Sequence, residues 1–106
     1  MNRSQAHDAL VRKAEQLGRR YDVEVHHVRM PLWDRRGWPD LMLLGRERSA
    51  AREIKTGSAV LSPEQRETGR RLQLGGISFA VWRDLDFDSG RVEVEIAALS
   101  GRQPWA

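Results

Sequence analysis

The sequence predicts an α/β domain, a mixed central β-sheet flanked by α-helices, in the order α-β-β-β-α-β with a further C-terminal element. Three observations predict it. Apolar residues at helical spacing open the chain. Short alternating or apolar runs follow. Then a run, a capped helix and a second run lie within residues 50–83, close enough for a βαβ crossover, which is right-handed and pairs its strands in parallel. At 106 residues the chain is read as one domain, 1–106.

Ser4 to Leu17 reads as the first helix. Ala6, Leu10, Ala14 and Leu17 share one face, Ser4 is its expected N-cap, and Gly18 its expected stop. Tyr21 to Arg29 alternates, with Tyr21, Val23, Val25 and His27 on one side, as a half-buried strand does. Residues 30–37 form a loop. Residues 38–44 form a second strand with Asp40 near its start; its run Leu41-Met42-Leu43-Leu44 is apolar on both faces, as in a central strand. The polar turn 45–49 leads into a third strand, 50–56, and the two strands read as a hairpin. Ser62-Pro63-Glu64-Gln65 is a helix start with Ser62 as N-cap, Pro63 at the first position and Gln65 closing a capping box. This helix runs to about Leu74, Gly75-Gly76 ends it, and 77–83 is a fourth strand. In the tail, Val92, Val94 and Ile96 alternate, but Val92, Ile96 and Leu99 also fit a helix, with Ser89 as a cap; the helix is preferred.

Composition narrows the function. The chain is 40% hydrophobic and 31% charged, which fits a globular domain. No apolar run approaches the ~18 residues of a membrane span, and the opening residues lack a signal-peptide core, so a cytoplasmic protein with no membrane partner is expected. The absence of Cys excludes disulfides, thiol catalysis and Cys-based zinc sites. Residues 1–83 carry 16 Lys and Arg against 10 Asp and Glu, whereas residues 84–106 carry 2 against 5. A basic body suits a polyanionic partner such as nucleic acid.

Two acids and a lysine stand out by position. Residues i and i+2 of a strand share a face, so Glu53 and Lys55 project together while Ile54 turns to the core. A hairpin in register brings Asp40 to the same face. Charges in apolar strands are costly unless paired or bound to metal. Two carboxylates with an amine nearby suit metal-assisted phosphodiester hydrolysis: Mg²⁺ takes one or two carboxylates plus substrate phosphate, and an ammonium can orient water or stabilise developing charge. The plainer reading is an ion-pair network on an exposed sheet face.

The series Gly37-Trp38-Pro39-Asp40, four apolar residues, a turn, Glu53-Ile54-Lys55-Thr56-Gly57 and Leu61-Ser62-Pro63-Glu64-Gln65 resembles the PD-(D/E)XK nuclease superfamily and, within it, the VRR-NUC family. Standalone phage and bacterial proteins of this family exist, as does the catalytic domain of the Fanconi-associated nuclease. The resemblance spans about residues 4–83 and is strongest over 37–65. It implies a restriction-endonuclease-like fold and a Mg²⁺- or Mn²⁺-dependent DNA endonuclease acting on branched DNA of the Holliday-junction kind or on duplex. It further implies Asp40, Glu53 and the Ile54 carbonyl as metal ligands and Lys55 as the residue assisting the attacking water. Gln65 would contact phosphate or the metal's water shell; the plainer reading is a capping-box residue, and the two roles are compatible. Many relatives carry a first-helix glutamate as an extra ligand; here Gln5 stands roughly in its place and Glu15 is the helix's only Glu. The alternative is a nuclease-like fold kept as a DNA-binding or assembly module without cleavage.

Other features are read as support. Trp33, Arg35, Arg36 and Trp38 form a basic, aromatic loop that can grip a DNA backbone or stack on an unpaired base. Arg66, Arg70 and Arg71 share a flank of the second helix, as a phosphate track or as a solvated face. With His7, His26 and His27 as the only histidines, a zinc site is not expected; His27 can face the core and His26 the cleft. Standalone relatives look like dimeric resolvases, so a homodimer is expected, with Val92, Val94, Ile96, Leu99 and Trp105 as a candidate interface or as cover for the chain's own sheet.

Overall fold

The computed structural model describes residues 2–29 and 37–105. Trp33, Arg35 and Arg36 therefore lie outside the described residues. The elements are α1 (Arg3–Tyr21), β1 (Glu24–His27), β2 (Leu41–Leu44), β3 (Ser49–Ile54), α2 (Pro63–Leu74), β4 (Ser78–Trp82), α3 (Asp84–Asp88) and α4 (Arg91–Leu99). They form an α/β fold with a four-stranded mixed sheet in the order β1-β2-β3-β4. The first three strands are antiparallel neighbours, and β4 joins β3 in parallel through α2. Among the described residues no helix is long and apolar enough to cross a membrane.

Alternation along the strands divides the molecule. Leu41, Leu43, Ala50, Ile54 and Trp82 pack with Leu10, Val11 and Ala14 of α1 and with Val92, Ile96 and Ala97 of α4 in one core. Position 53 faces the other way, as does Phe79 of β4, over which α2 lies: a methyl group on Gly69 would sit 2.4 Å from the Phe79 ring. The core face carries one buried cation that the hydrophobic pattern does not announce. Arg52 is bonded to Glu95 of α4 at 3.0 Å and to the Ser78 carbonyl at 2.8 Å, with its guanidinium 5.3 Å from the centre of the Trp82 ring. Trp82 Nε1 donates to the same Glu95 oxygen at 2.9 Å. A buried charge of this kind is tolerated because its donors are satisfied.

Several boundaries differ from the sequence reading, each for a local reason. The first helix is longer than 4–17. Asn2, not Ser4, caps it, in a box where the Gln5 N–H donates to Asn2 Oδ1 at 2.8 Å and the Asn2 N–H to Gln5 Oε1 at 3.0 Å. Gly18 does not stop it. It lies inside the helix where β1 crosses closely, and a Cβ there would stand 2.6 Å from the Val23 carbonyl oxygen. The helix continues to Tyr21, which extends the Leu10–Ala14 face, and Asp22 ends it with a φ of 59°. Tyr21 thus belongs to a helix and not to a strand. The tail is helical, but Gly90 caps α4, and Ser89 instead closes the short α3, which the sequence reading lacks. The Arg83 N–H donates to Asp86 Oδ2 at 2.8 Å to start α3, and Phe87 meets Trp82 edge-on at 5.8 Å. Val92, Ile96 and Leu99 are buried in the chain's own core, so they offer no dimer interface; of the five tail residues only Val94 and Trp105 are exposed, at 39% and 71%.

The closeness of α2 to β4 yields the first prediction. Ala is a better helix former than Gly by about 1 kcal/mol, yet Gly69→Ala forces a methyl group into the Phe79 ring. The overpacking exceeds the propensity gain, and urea unfolding should show a net loss of about 1–2 kcal/mol. A stabilised variant would contradict this packing.

Candidate active site

The β2–β3 register pairs Leu41 with Arg52. One rung further, at the end of the sheet, Asp40 stands opposite Glu53. Directly opposed residues of an antiparallel pair share a face, so the hairpin turns two carboxyl groups towards each other. The approach to Asp40 is firmly held. Gly37 adopts a φ of 74°, with its α-carbon so close to α2 that a Cβ would lie 2.4 Å from the Glu64 carbonyl oxygen. Pro39 is fully buried, and the Asp40 carbonyl accepts from the Val28 N–H at 2.7 Å.

Four of the residues singled out in the sequence meet here. Asp40 Oδ2 accepts from the Ile54 N–H at 2.8 Å, while the Ile54 side chain fills the core. Lys55 Nζ stands 3.3 Å from Glu53 Oε2. Gln65 Nε2 donates to the same oxygen at 3.0 Å. The Gln65 side chain also accepts from the Ser62 N–H at 2.8 Å, so it caps α2 and reaches Glu53 at once. The N-terminus of α2 is positioned for this contact by the Ser62–Gln65 capping box, with Pro63 at its first turn.

One residue of the site was passed over in the sequence. His7 Nε2 lies 3.1 Å from Asp40 Oδ2. It is one helical turn in from the start of α1, and the signal that identifies it is only its being a polar ring on the sheet-facing side of that helix. Gln5 is occupied in the N-terminal capping box of α1, and Glu15 lines a separate hollow with Gly18, Arg19 and His26. His27, not His26, faces the site: its ring centre is 6.4 Å from that of His7, while His26 lies against Glu24 at 3.6 Å. Arg66 and Arg70 stay on the exposed flank of α2. Arg66 donates to the Leu61 carbonyl, and Arg70 shares Glu67 with Arg71.

The electrostatics follow from burial and proximity. Glu53 is only 5% exposed, and burial together with the nearby Asp40 charge pushes its carboxyl up to about 7, against the pull of Lys55. Burial acts on Asp40 in the same sense, but the bonds from His7 and the Ile54 N–H outweigh it and hold Asp40 below its usual range. The Asp40 bond raises His7 in turn. Glu53 Oε1 is buried with no hydrogen-bond partner. Such an orphaned carboxylate oxygen is costly, and a hard cation between it and Asp40 would supply what it lacks. Among the described residues no three His, Cys, Asp or Glu side chains form a ready-made metal cage. The donor set therefore fits a cation that keeps most of its waters, as Mg²⁺ does.

No family model, no curated protein and no solved structure matches the chain. What the site can do is accordingly argued from its own chemistry.

The raised acid sets a pH dependence. The folded chain holds a proton on Glu53 up to about pH 7, whereas unfolded Glu releases it near 4.5. The raised His7 acts in the same direction: its contribution is present below its ordinary value and lost as pH rises through the folded one. In EDTA, the urea midpoint should therefore fall as pH rises from 5 to 8. Asp40→Asn removes the charge that both groups feel and should flatten this slope. An equally steep slope in the variant would show that the two carboxyl groups do not interact.

Proposed function

We propose that the chain is a metal-dependent DNA nuclease of the PD-(D/E)XK type, related to the VRR-NUC family, with a restriction-endonuclease-like fold and a preference for branched DNA. One observation carries the reading: Asp40, Glu53, Lys55 and Gln65, scattered over 26 positions of sequence, converge within hydrogen-bonding range at one end of the sheet. Their spacing and their residue types are those of the resemblance described above. The buried Glu53 oxygen without a hydrogen-bond partner, on a carboxyl raised by burial and by Asp40, supports the reading, since a hard cation would satisfy it.

In this reading Asp40, Glu53 and the Ile54 carbonyl would hold Mg²⁺ or Mn²⁺, which when bound would lower the pKa of a water and offset negative charge on the phosphate. Lys55 keeps its ammonium beside Glu53, where it orients the attacking water and steadies negative charge on the phosphoryl oxygens. Water adds to phosphorus, one P–O ester bond breaks, and the products are a phosphate monoester and a hydroxyl end. Gln65 ties Glu53 to α2 and so keeps the carboxylate from swinging away. His7 performs the same service for Asp40 from α1. The excess of Lys and Arg over Asp and Glu in residues 1–83 favours a polyanionic partner.

The test is incubation of the purified chain with labelled duplex, flap and four-way-junction DNA in Mg²⁺, Mn²⁺ or EDTA. Cleavage is expected with either metal and none in EDTA. Asp40→Ala and Glu53→Ala should abolish it while circular dichroism shows an intact fold. A variant of either residue with undiminished activity would mean that the site lies elsewhere.

Lys55→Met separates an enzyme from a binding module. It keeps the packing of the stem and removes the charge. The cleavage rate should fall by about 100-fold or more with DNA affinity little changed. A small, equal fall in rate and affinity would make Lys55 a phosphate anchor and favour a binding role.

A further inference from the structure

A groove of about 330 Å³ opens directly beside Asp40, lined by His7, Asp8, His27, Val28, Trp38 and Asp40 itself. Its volume is at the small end of ligand-binding clefts, which run from roughly 300 to 1,000 Å³. Two features of the lining decide what it accepts. Among the described residues that form it there is no Lys or Arg, while two carboxylates, Asp8 and Asp40, face it. The described lining also includes the aromatic residue Trp38, which is 43% exposed.

Trp38 stands between two closely packed neighbours. Gly37 on one side is pressed against the Glu64 carbonyl and Thr68 of α2, and Pro39 on the other is fully buried. The backbone that carries the indole is thus anchored at both neighbours, two residues from Asp40. Across the groove, the imidazoles of His7 and His27 and the Asp8 carboxylate present polar edges. A flat, uncharged heteroaromatic ring that stacks on an aromatic face and offers hydrogen-bond donors and acceptors at its rim suits such a wall. On the reading of the site as one that acts on DNA, we infer that this groove receives a single unpaired base of the substrate strand, stacked on Trp38, while the phosphate beside it lies towards Lys55. The site would then select DNA in which a base next to the cut is free to leave the helix, such as a flap or a frayed branch, over continuously paired duplex. Stacking of this sort tolerates any base, because every base has a π face.

The experiment is fluorescence anisotropy of the full chain in Ca²⁺ with three labelled DNAs: one with a single unpaired nucleotide at a branch, the same DNA with an abasic residue at that position, and a fully paired duplex. The unpaired base should bind most tightly. Trp38→Ala should weaken it about tenfold or more and leave the abasic and paired DNAs within twofold, whereas Trp38→Phe should restore most of the loss. Circular dichroism of each variant reports the fold. Equal affinity for all three DNAs, or an equal loss on all three in Trp38→Ala, would overturn the base groove alone and leave the nuclease reading standing. Failure to bind any of the DNAs would overturn both. Base-selective binding without cleavage in Mg²⁺ would support the groove and remove the nuclease.

Discussion

Two carboxyl groups facing each other at the end of a sheet, one of them almost wholly buried, form the constraint around which the rest of the structure is arranged. Desolvation and mutual repulsion both oppose ionisation of the pair. The chain answers from four directions: the Ile54 N–H and His7 on Asp40, Lys55 and Gln65 on Glu53. Even so, one Glu53 oxygen is left without a partner, and that carboxyl stays protonated to about pH 7. A protein that gained nothing from this arrangement would be more stable with an apolar pair in its place. The proposed cation site is one arrangement in which this acid would find the partner it lacks.

The supporting elements make sense in those terms. The hairpin register sets the two acids opposite each other, since a slip of one residue would send Asp40 to the core face. Gly37 allows the segment leading into Asp40 to lie directly on α2, and Gly69 lets α2 lie directly on β4. Together they hold the start of α2, and with it Gln65, within reach of Glu53. On the opposite face the Arg52–Glu95–Trp82 network ties α4 to the middle of the sheet, beneath the strand that carries Glu53.

Much of this was legible in the sequence because it rests on short-range rules. The strand alternation around Ile54, the Ser62–Gln65 capping box and the hairpin between residues 44 and 49 each follow from local chemistry, and together they predict which side chains share a face. What was not legible depends on contacts between distant segments. Gly18 looks like a helix stop until β1 is seen passing over it, a close approach that only glycine permits. Ser4 reads as the cap, whereas Asn2 and Gln5 close a capping box that starts two residues earlier. His7 had no spacing signal to set it apart, because its partner Asp40 is 33 residues away. The tail's apolar residues resembled an exposed interface because a helix that covers its own sheet and a helix that covers a partner have the same pattern.

We propose that the Asp40–Glu53 pair is a divalent-cation site whose protonated acid releases its proton to the buffer when the ion binds. Isothermal titration of Mg²⁺ or Mn²⁺ into the full chain at pH 6.5, in two buffers of different ionisation enthalpy, tests it directly. The account predicts saturable binding with a heat that depends on the buffer, corresponding to release of most of a proton, and loss of both in Asp40→Asn. Binding with no proton release, or binding unchanged in that variant, would contradict it.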